Sequence, residues 1–219
     1  MINFLSVNKL MLSILGYPLS YIEFVGTVLY FTSVFLIARK NILTWPIGII
    51  SVILYGILFY QIQLYSDMME QVYYLVISII GWITWQKQKQ DNNRIPAEWS
   101  SSRPILYAAG ITVICTAILA YCVANFHLWL PQIFREPASY PILDALTTVM
   151  SFIAMLLTTR RKIEGWIYWI IVDIIGIGLY WVKDVRFIAL QYIFLLGMAI
   201  YGLIYWLRNR GANGAKTNV

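Results

Sequence analysis

The chain has 219 residues, of which 60% are hydrophobic and 12% are charged, and its formal net charge is +6. Its mean hydropathy of +0.70 is far above the range of water-soluble globular domains, so the composition predicts an integral membrane protein. Seven membrane helices of about 20 residues each would leave room only for short loops and tails. This excludes a separate soluble catalytic domain and most classes of enzyme.

Apolar runs that are poor in charge and bounded by basic, proline and polar residues predict seven membrane helices. In chain order they cover residues 20–38, 44–61, 68–86, 104–126, 141–159, 165–182 and 187–207. The second and third runs are separate helices, because one helix through both would be about 60 Å long. The predicted organisation is an N-terminal segment (1–19), a first three-helix unit (20–86), a linker with the fourth helix and a loop (87–140), a second three-helix unit (141–207) and a tail (208–219).

The basic residues are distributed unequally between the two sides of this arrangement, and they explain the net charge without a nucleic acid partner. Twelve of the 16 Lys and Arg residues fall on the side that holds the C-terminus, and four fall on the other side. Cytoplasmic loops of membrane proteins retain positive charge. The count therefore predicts an outside N-terminus and a cytoplasmic C-terminus.

The chain resembles itself at an offset of 121 residues without gaps. The matching landmarks are Glu23 with Asp144, Thr27 with Thr148, Phe31 with Phe152, Arg39-Lys40 with Arg160-Arg161, Trp45 with Trp166, Gly81 with Gly202 and Trp85 with Trp206. An offset of four helices preserves direction across the membrane. The pattern predicts two parallel three-helix repeats joined by one connecting helix, as in transporters whose halves move around a central site.

Asp173 is the charged residue that lies deepest within a predicted span. An ionised carboxylate at that depth costs roughly 2.5–3.5 kcal/mol unless it meets water, a partner or a ligand. Trp166, Trp169, Gly176 and Tyr180 share its helical face. Indole faces attract cations and stack on flat rings, so the stripe indicates a site for a cationic aromatic ligand. The alternatives are a structural hydrogen bond for Asp173 and an interfacial anchor for Trp166.

Three other helices carry polar and aromatic stripes that could face the same centre. Their members are Gln71, Tyr74, Ser78 and Trp82 on the third helix, Gln191, Leu195 and Met198 on the seventh, and Asn41, Trp45, Gly48 and Tyr55 on the second. For the two glutamines, ligand binding and a bond between helices are equally supported. Helix packing is the stronger reading for Tyr74 and Ser78. The repeat offset places Asp173 against Val52, so an asymmetric pocket is expected.

Motifs for catalysis or cofactor binding are missing from the sequence. It contains no P-loop, no dinucleotide glycine fingerprint and no metal-spaced cysteine and histidine cluster. Cys115 and Cys122 are read as packing residues, and Glu23, Asp67, Glu70 and Asp144 as charges at helix ends. We therefore expect neither an enzyme nor a bound cofactor or metal.

Several short motifs together resemble the PnuC family of nicotinamide riboside transporters. They are Trp45-Pro46-Ile47-Gly48, Tyr65-Ser66-Asp67-Met68, Gly81-Trp82-Ile83-Thr84-Trp85 and Trp166-Ile167-Tyr168-Trp169. The resemblance spans roughly residues 20–207. It implies a three-plus-one-plus-three architecture related to the SWEET sugar transporters, a homotrimer, and uptake of an NAD precursor across the bacterial inner membrane by facilitated diffusion.

Nicotinamide riboside, a flat pyridinium cation attached to a ribose, suits the pocket read from the residues. Trp169 and Trp166 are expected to stack on the ring, while Asp173, Gln71 and Gln191 bind hydroxyls or the carboxamide. Tyr74, Tyr180, Trp45 and Trp82 complete the predicted site. Relatives in the family carry thiamine or riboflavin, and a membrane scaffold or receptor remains the alternative from another class.

Overall fold

The structure is a computed structural model that describes residues 5–14, 16–62, 65–90, 97–132 and 137–210. Within these ranges the chain forms seven helices preceded by a small antiparallel hairpin. The elements are β1 (Leu10–Ile14), β2 (Tyr17–Ser20), α1 (Tyr21–Ala38), α2 (Thr44–Gln61), α3 (Tyr65–Gln90), α4 (Ser102–Trp129), α5 (Pro141–Thr159), α6 (Glu164–Val182) and α7 (Arg186–Arg208). The polar linker around Asn92, the loop around Arg135 and the tail beyond residue 210 lie outside the described residues.

The seven helices occupy the predicted runs, with differences of a few residues at their ends. Six of them are long and apolar enough to cross a membrane, so the protein is a multi-pass membrane protein. The exception is α3, whose first turns carry Asp67 and Glu70 and whose last turns carry Lys87. It packs between α2 and α5 within the same bundle.

The N-terminal hairpin is absent from the sequence prediction, which is all-α. β1 pairs with β2 from Leu10–Ser20 to Ile14–Tyr17, and the turn uses Gly16 at φ +80°. Ser20 then caps α1 by accepting a hydrogen bond from the backbone N–H of Glu23. β1 does not alternate apolar and polar residues and β2 contains Pro18, so neither carries the pattern that indicates a strand.

Successive helices alternate in direction, which gives the bundle two distinct ends. The end that holds β1, β2 and the α6–α7 turn is called here the hairpin end. The other is called the basic end, because it holds Arg39, Lys40, Arg160 and Arg161 in the α1–α2 and α5–α6 turns. The neighbouring pairs α1–α2, α2–α3, α4–α5, α5–α6 and α6–α7 pack together, and α1 also contacts α7 while α3 contacts α5.

Three helices end on a non-glycine residue with positive φ. These residues are Lys40 (φ 56°), Arg161 (φ 58°) and Asp184 (φ 57°). After each one, a backbone N–H returns to the carbonyl of a residue five positions earlier, as in a Schellman motif. The reversal is tight, and it sets α2, α6 and α7 directly beside the helices that precede them.

Two pairs of tryptophans form the core at the basic end. Trp45 meets Trp85 edge to face at 5.2 Å between ring centroids, and Trp166 meets Trp206 in the same way at 5.5 Å. All four rings are at most 1% exposed. They fit because Gly81 and Gly202 leave room for them: an added Cβ on Gly202 would lie 2.7 Å from the Trp166 ring.

These tryptophans also join helices that are distant in sequence. Trp85 Nε1 donates to the Thr159 carbonyl at 2.9 Å, and Trp206 Nε1 donates to the Ala38 carbonyl at 2.9 Å. In each case the buried indole N–H satisfies the carbonyl of the last residue of the partner helix. As a result α3 is fixed to α5, and α7 is fixed to α1.

Part of the polar linker is held against the α5–α6 turn. The Glu98 backbone exchanges hydrogen bonds with Arg161 and Ile163, and its carboxylate pairs with Lys162 at 2.6 Å. The Ser100 N–H donates to Glu164 at 3.1 Å. The described part of the linker is therefore ordered structure on the basic end.

A cavity between the helices

A cavity of about 520 Å³ lies within the bundle, in the size range of small-molecule sites. Its walls come from α1, α2, α3, α5, α6, α7 and the hairpin, whereas α4 contributes none of its lining residues. Trp45 and Trp166 line it towards the basic end, and Tyr17 and Pro18 lie at its other end. The cavity is thus built by the two predicted three-helix units together.

Asp173 lines this cavity and is only 3% exposed. Among the described residues it has no hydrogen-bond or salt-bridge partner. The alternative reading, a structural bond to a neighbouring helix, therefore finds no support. A buried carboxylate without a partner needs a cation, a proton or a donor from a ligand.

Eight of the nine residues predicted for the site line the cavity. They are Trp45, Gln71, Tyr74, Trp166, Trp169, Asp173, Tyr180 and Gln191. They come from α2, α3, α6 and α7, so the helical stripes read from the sequence converge on one space. Side-chain amides, phenols and indoles around a carboxylate offer both flat apolar faces and hydrogen-bonding groups.

Trp82 is the ninth predicted residue, and the structure does not bring it to the cavity. Its side chain is 38% exposed on the outside of α3. The sequence placed it on the stripe of Gln71, Tyr74 and Ser78, but the buried face of this part of α3 is formed by Ile77, Ser78, Gly81 and Trp85, and Trp82 lies at its edge. The adjacent Gly81 faces inward instead and receives the Trp45 ring.

Trp45 and Trp166 line the cavity towards its basic end, and both are buried within the bundle. Each is 1% exposed, and the indole N–H of each has no hydrogen-bond partner among the described residues. Buried indole N–H groups usually have an acceptor. Each indole N–H is therefore a buried donor without an acceptor in the described part of the chain.

Several lining residues were not predicted for the site. Glu23, Asp67 and Glu70 were read as charges at helix ends, and Tyr30 and Tyr192 were not singled out. Tyr192 neighbours Gln191, and its ring lies over Gly176, where a Cβ would overlap it. In the sequence, the only sign of the Tyr192 ring is Gly176 on the same helical face as Asp173, because a glycine leaves room for a neighbouring ring.

Tyr17, the first residue of β2, places the hairpin against the hairpin end of the cavity. The Tyr17 hydroxyl donates to Glu23 at 2.9 Å, and its ring stacks on Phe187 of α7 at 4.8 Å. Burial, followed by the hydrogen bond to Glu23, raises the pKa of Tyr17. The phenol therefore stays protonated and keeps donating at any physiological pH.

The charges around the cavity are all of one sign. Four carboxyl groups line it, those of Glu23, Asp67, Glu70 and Asp173, and no Lys, Arg or His is among its described lining residues. The three ion pairs of the described chain involve Glu98, Asp144 and Asp184 instead. The cavity therefore favours a cationic occupant and disfavours an anionic one.

Comparison with curated proteins finds relatives over almost the full length of the chain. The chain is 27% identical over 217 residues to the nicotinamide riboside transporter PnuC of Escherichia coli, covering 92% of this chain and 91% of the relative. It is 26% identical to the PnuC of Neisseria mucosa, with coverage of 87% and 73%. It is 25% identical to the riboflavin/roseoflavin transporter RibM of Streptomyces davaonensis, with coverage of 86% and 85%.

The fold and the sequence profile agree with these relatives. The crystal structure of the vitamin B3 transporter PnuC superposes with a TM-score of 0.65 at 25% identity, over 87% of this chain and 82% of the other. The profile of a family described as nicotinamide mononucleotide transporter matches residues 20–208. The chain belongs to this family of membrane transporters.

Proposed function

We propose that this protein transports nicotinamide riboside across the membrane. The observation that carries the proposal is Asp173, a buried carboxylate that no described residue pairs with, in a cavity lined by Trp169 and several tyrosines. A pyridinium ring can stack on these aromatic faces while the carboxylate balances its charge. The ribose hydroxyls and the carboxamide can bond to Gln71, Gln191 and the free indole N–H groups. The two relatives named PnuC support the same substrate.

The riboside fits this cavity better than the mononucleotide for which the family is described. A phosphate group adds about two negative charges at neutral pH. It would meet four carboxyl groups and no basic side chain among the described lining residues. We therefore propose that the phosphorylated form is rejected by charge rather than by size.

The test is uptake into proteoliposomes that contain only this protein. We expect saturable uptake of nicotinamide riboside and none of the mononucleotide. Trp169→Ala removes a ring from the cavity and should reduce uptake, whereas Trp181→Ala removes a ring that is 63% exposed and should not. If riboflavin or thiamine bound more tightly than nicotinamide riboside in competition, the protein would be a transporter of that vitamin instead. Absence of any transported or stabilising small molecule would favour a scaffold or receptor.

We propose a three-plus-one-plus-three arrangement of seven membrane spans, like that of the SWEET proteins, in which α4 joins two parallel repeats. Contacts between helices recur at the offset of 121 residues. Phe31 meets Phe194 at 4.7 Å, and Phe152 meets Tyr73 at 4.2 Å. The bonds from Trp85 to Thr159 and from Trp206 to Ala38 are related in the same way. Inclusion of α3 as a span follows from its place in the bundle and its length of 26 residues.

We propose that the protein lies in the bacterial inner membrane with its basic end in the cytoplasm and its N-terminus outside. The excess of Lys and Arg at the basic end supports this orientation. A reporter enzyme active only in the cytoplasm should function when fused to the C-terminus and fail when fused to the N-terminus. The reverse result would invert the orientation.

We propose facilitated diffusion by a homotrimer, without catalysis. The exposed apolar face of α4 supports either a lipid contact or a subunit contact, and it includes Leu106, Tyr107, Val113, Ile114, Ile118 and Tyr121. Light scattering of the purified protein separates these possibilities by mass. Uptake that continues after ion gradients are collapsed would support diffusion.

A further inference from the structure

The cavity extends well beyond the side chains around Asp173, towards the hairpin end. Trp169, Asp173 and Tyr180 all line it from α6. With a rise of 1.5 Å per residue, Tyr180 lies about 10 Å beyond Asp173 towards the hairpin end and about 16 Å beyond Trp169. A ligand held between Trp169 and Asp173 would therefore leave the space near Tyr180 open to a second position.

A pair of aromatic rings forms one wall of that second position. Tyr180 of α6 stacks on Tyr192 of α7 at 5.4 Å between centroids, with 20° between the ring planes. Both rings line the cavity and both are only partly exposed. Tyrosine faces attract cations, especially where water is partly removed.

Carboxylates from α3 stand at the same level of the cavity. Asp67 and Glu70 are one turn apart in the first two turns of α3, which start at the hairpin end. Glu70 Oε1 accepts a hydrogen bond from the Thr148 hydroxyl at 3.0 Å. Neither carboxylate forms an ion pair with a described Lys or Arg, although nearby Asp144 is paired with Lys183 at 3.4 Å. Their charge is not neutralised by the protein.

We propose that Glu70, together with Asp67 and the Tyr180–Tyr192 pair, forms a second subsite that selects cationic aromatic solutes at the hairpin end, before they reach Asp173. The inference rests on the proposed function and extends it. A pyridinium ring at this subsite lies against the stacked phenols with its charge towards Glu70. The ring then passes from one carboxylate to the next along the cavity, so that it is never far from an opposite charge.

The test compares two ligands of nearly the same shape and different charge, nicotinamide riboside and its neutral dihydropyridine form. Initial rates of uptake are measured in intact cells that express the protein, so that only one face is exposed to the ligand. Glu70→Gln keeps an acceptor for Thr148 and removes the charge. It should raise KM for the cationic riboside about tenfold and leave KM for the neutral form unchanged.

Matched variants separate charge and stacking from general damage. Asp184→Asn removes a carboxylate at the same end whose side chain is 79% exposed, and it should change neither KM. Tyr180→Leu removes the ring and should raise KM for the cation, whereas Trp181→Leu, at a neighbouring position that is 63% exposed, should not. Equal effects of Glu70→Gln on both ligands, or no effect on either, would overturn the second subsite alone. Absence of riboside uptake by the unaltered protein would overturn the proposed function and this inference with it.

Discussion

Gly81 and Gly202 show how single residues determine the position of the tryptophans at the basic end. Each lies under an indole ring, and a Cβ at Gly202 would come within 2.7 Å of Trp166. The other glycine of α7, Gly197, has no such neighbour, because no atom lies within 4 Å of a Cβ built there. The sequence alone does not distinguish Gly81 and Gly202 from Gly197, since they differ only in what packs against them.

We predict that Gly202→Ala lowers the stability of the purified protein by about 1–3 kcal/mol, because the added methyl group displaces a fully packed ring. Gly197→Ala is the matched control on the same helix, and the higher helix propensity of alanine should leave stability unchanged or raise it slightly. Thermal unfolding of both variants measures the difference. Equal melting temperatures would show that the Trp166 ring has freedom that the packing does not indicate.

The sequence was informative for individual residues wherever burial in a membrane has a clear cost. Asp173 stands out by its depth, and in the structure it is buried with no partner in the described ranges. Glu70 was missed because a carboxylate near a helix end has an ordinary explanation in the headgroup region. The role that we propose for Glu70 depends on Thr148 and Tyr180, which come from other helices, and a single helical segment gives no sign of this proximity.

At the scale of elements, Trp85 and Trp206 connect the helices of one half to those of the other. Each indole N–H donates to the last turn of a helix that is more than 70 residues away in sequence. Cationic side chains cover the same rings: Arg161 lies 4.3 Å from the Trp85 centroid and Lys40 lies 5.8 Å from that of Trp206. Burial and the positive charge of Arg161 lower the pKa of Lys40.

We predict that Trp85→Phe and Trp206→Phe each lower the stability by about 1 kcal/mol or more, since each leaves a buried carbonyl without its donor. Similar losses in the two variants are expected if the two halves are repeats. Trp181→Phe, at an exposed position of α6, should be neutral. A loss confined to one of the two buried positions would argue that the halves are held together unequally.

The number and order of the helices were predictable because apolar runs of about 20 residues have one common solution in a bilayer. The ends of the helices were less predictable. For example, α3 continues through Lys87 to Gln90, although hydropathy alone would end the helix before these polar residues. The N-terminal hairpin was missed. Its strands are short, and its position depends on Tyr17 bonding to Glu23 and stacking on Phe187.

At the scale of the whole molecule, the charges are separated between the cavity and the basic end. Carboxylates line the cavity, and the described Lys and Arg residues of the α1–α2 and α5–α6 turns lie at the basic end. This separation serves two physical requirements, because the turns favour an orientation in the membrane and the cavity favours a cation. Within this pattern we propose that Asp173 balances the charge of a bound pyridinium ring.

The most direct test is the dissociation constant of nicotinamide riboside, measured by calorimetry on the purified protein and on Asp173→Asn. Asparagine keeps the shape and removes the charge, so we predict binding that is weaker by about tenfold or more. Asp184→Asn, which removes an exposed carboxylate, should bind as the unaltered protein does. Equal dissociation constants for the unaltered protein and Asp173→Asn would show that the Asp173 carboxylate does not balance the charge of the ligand.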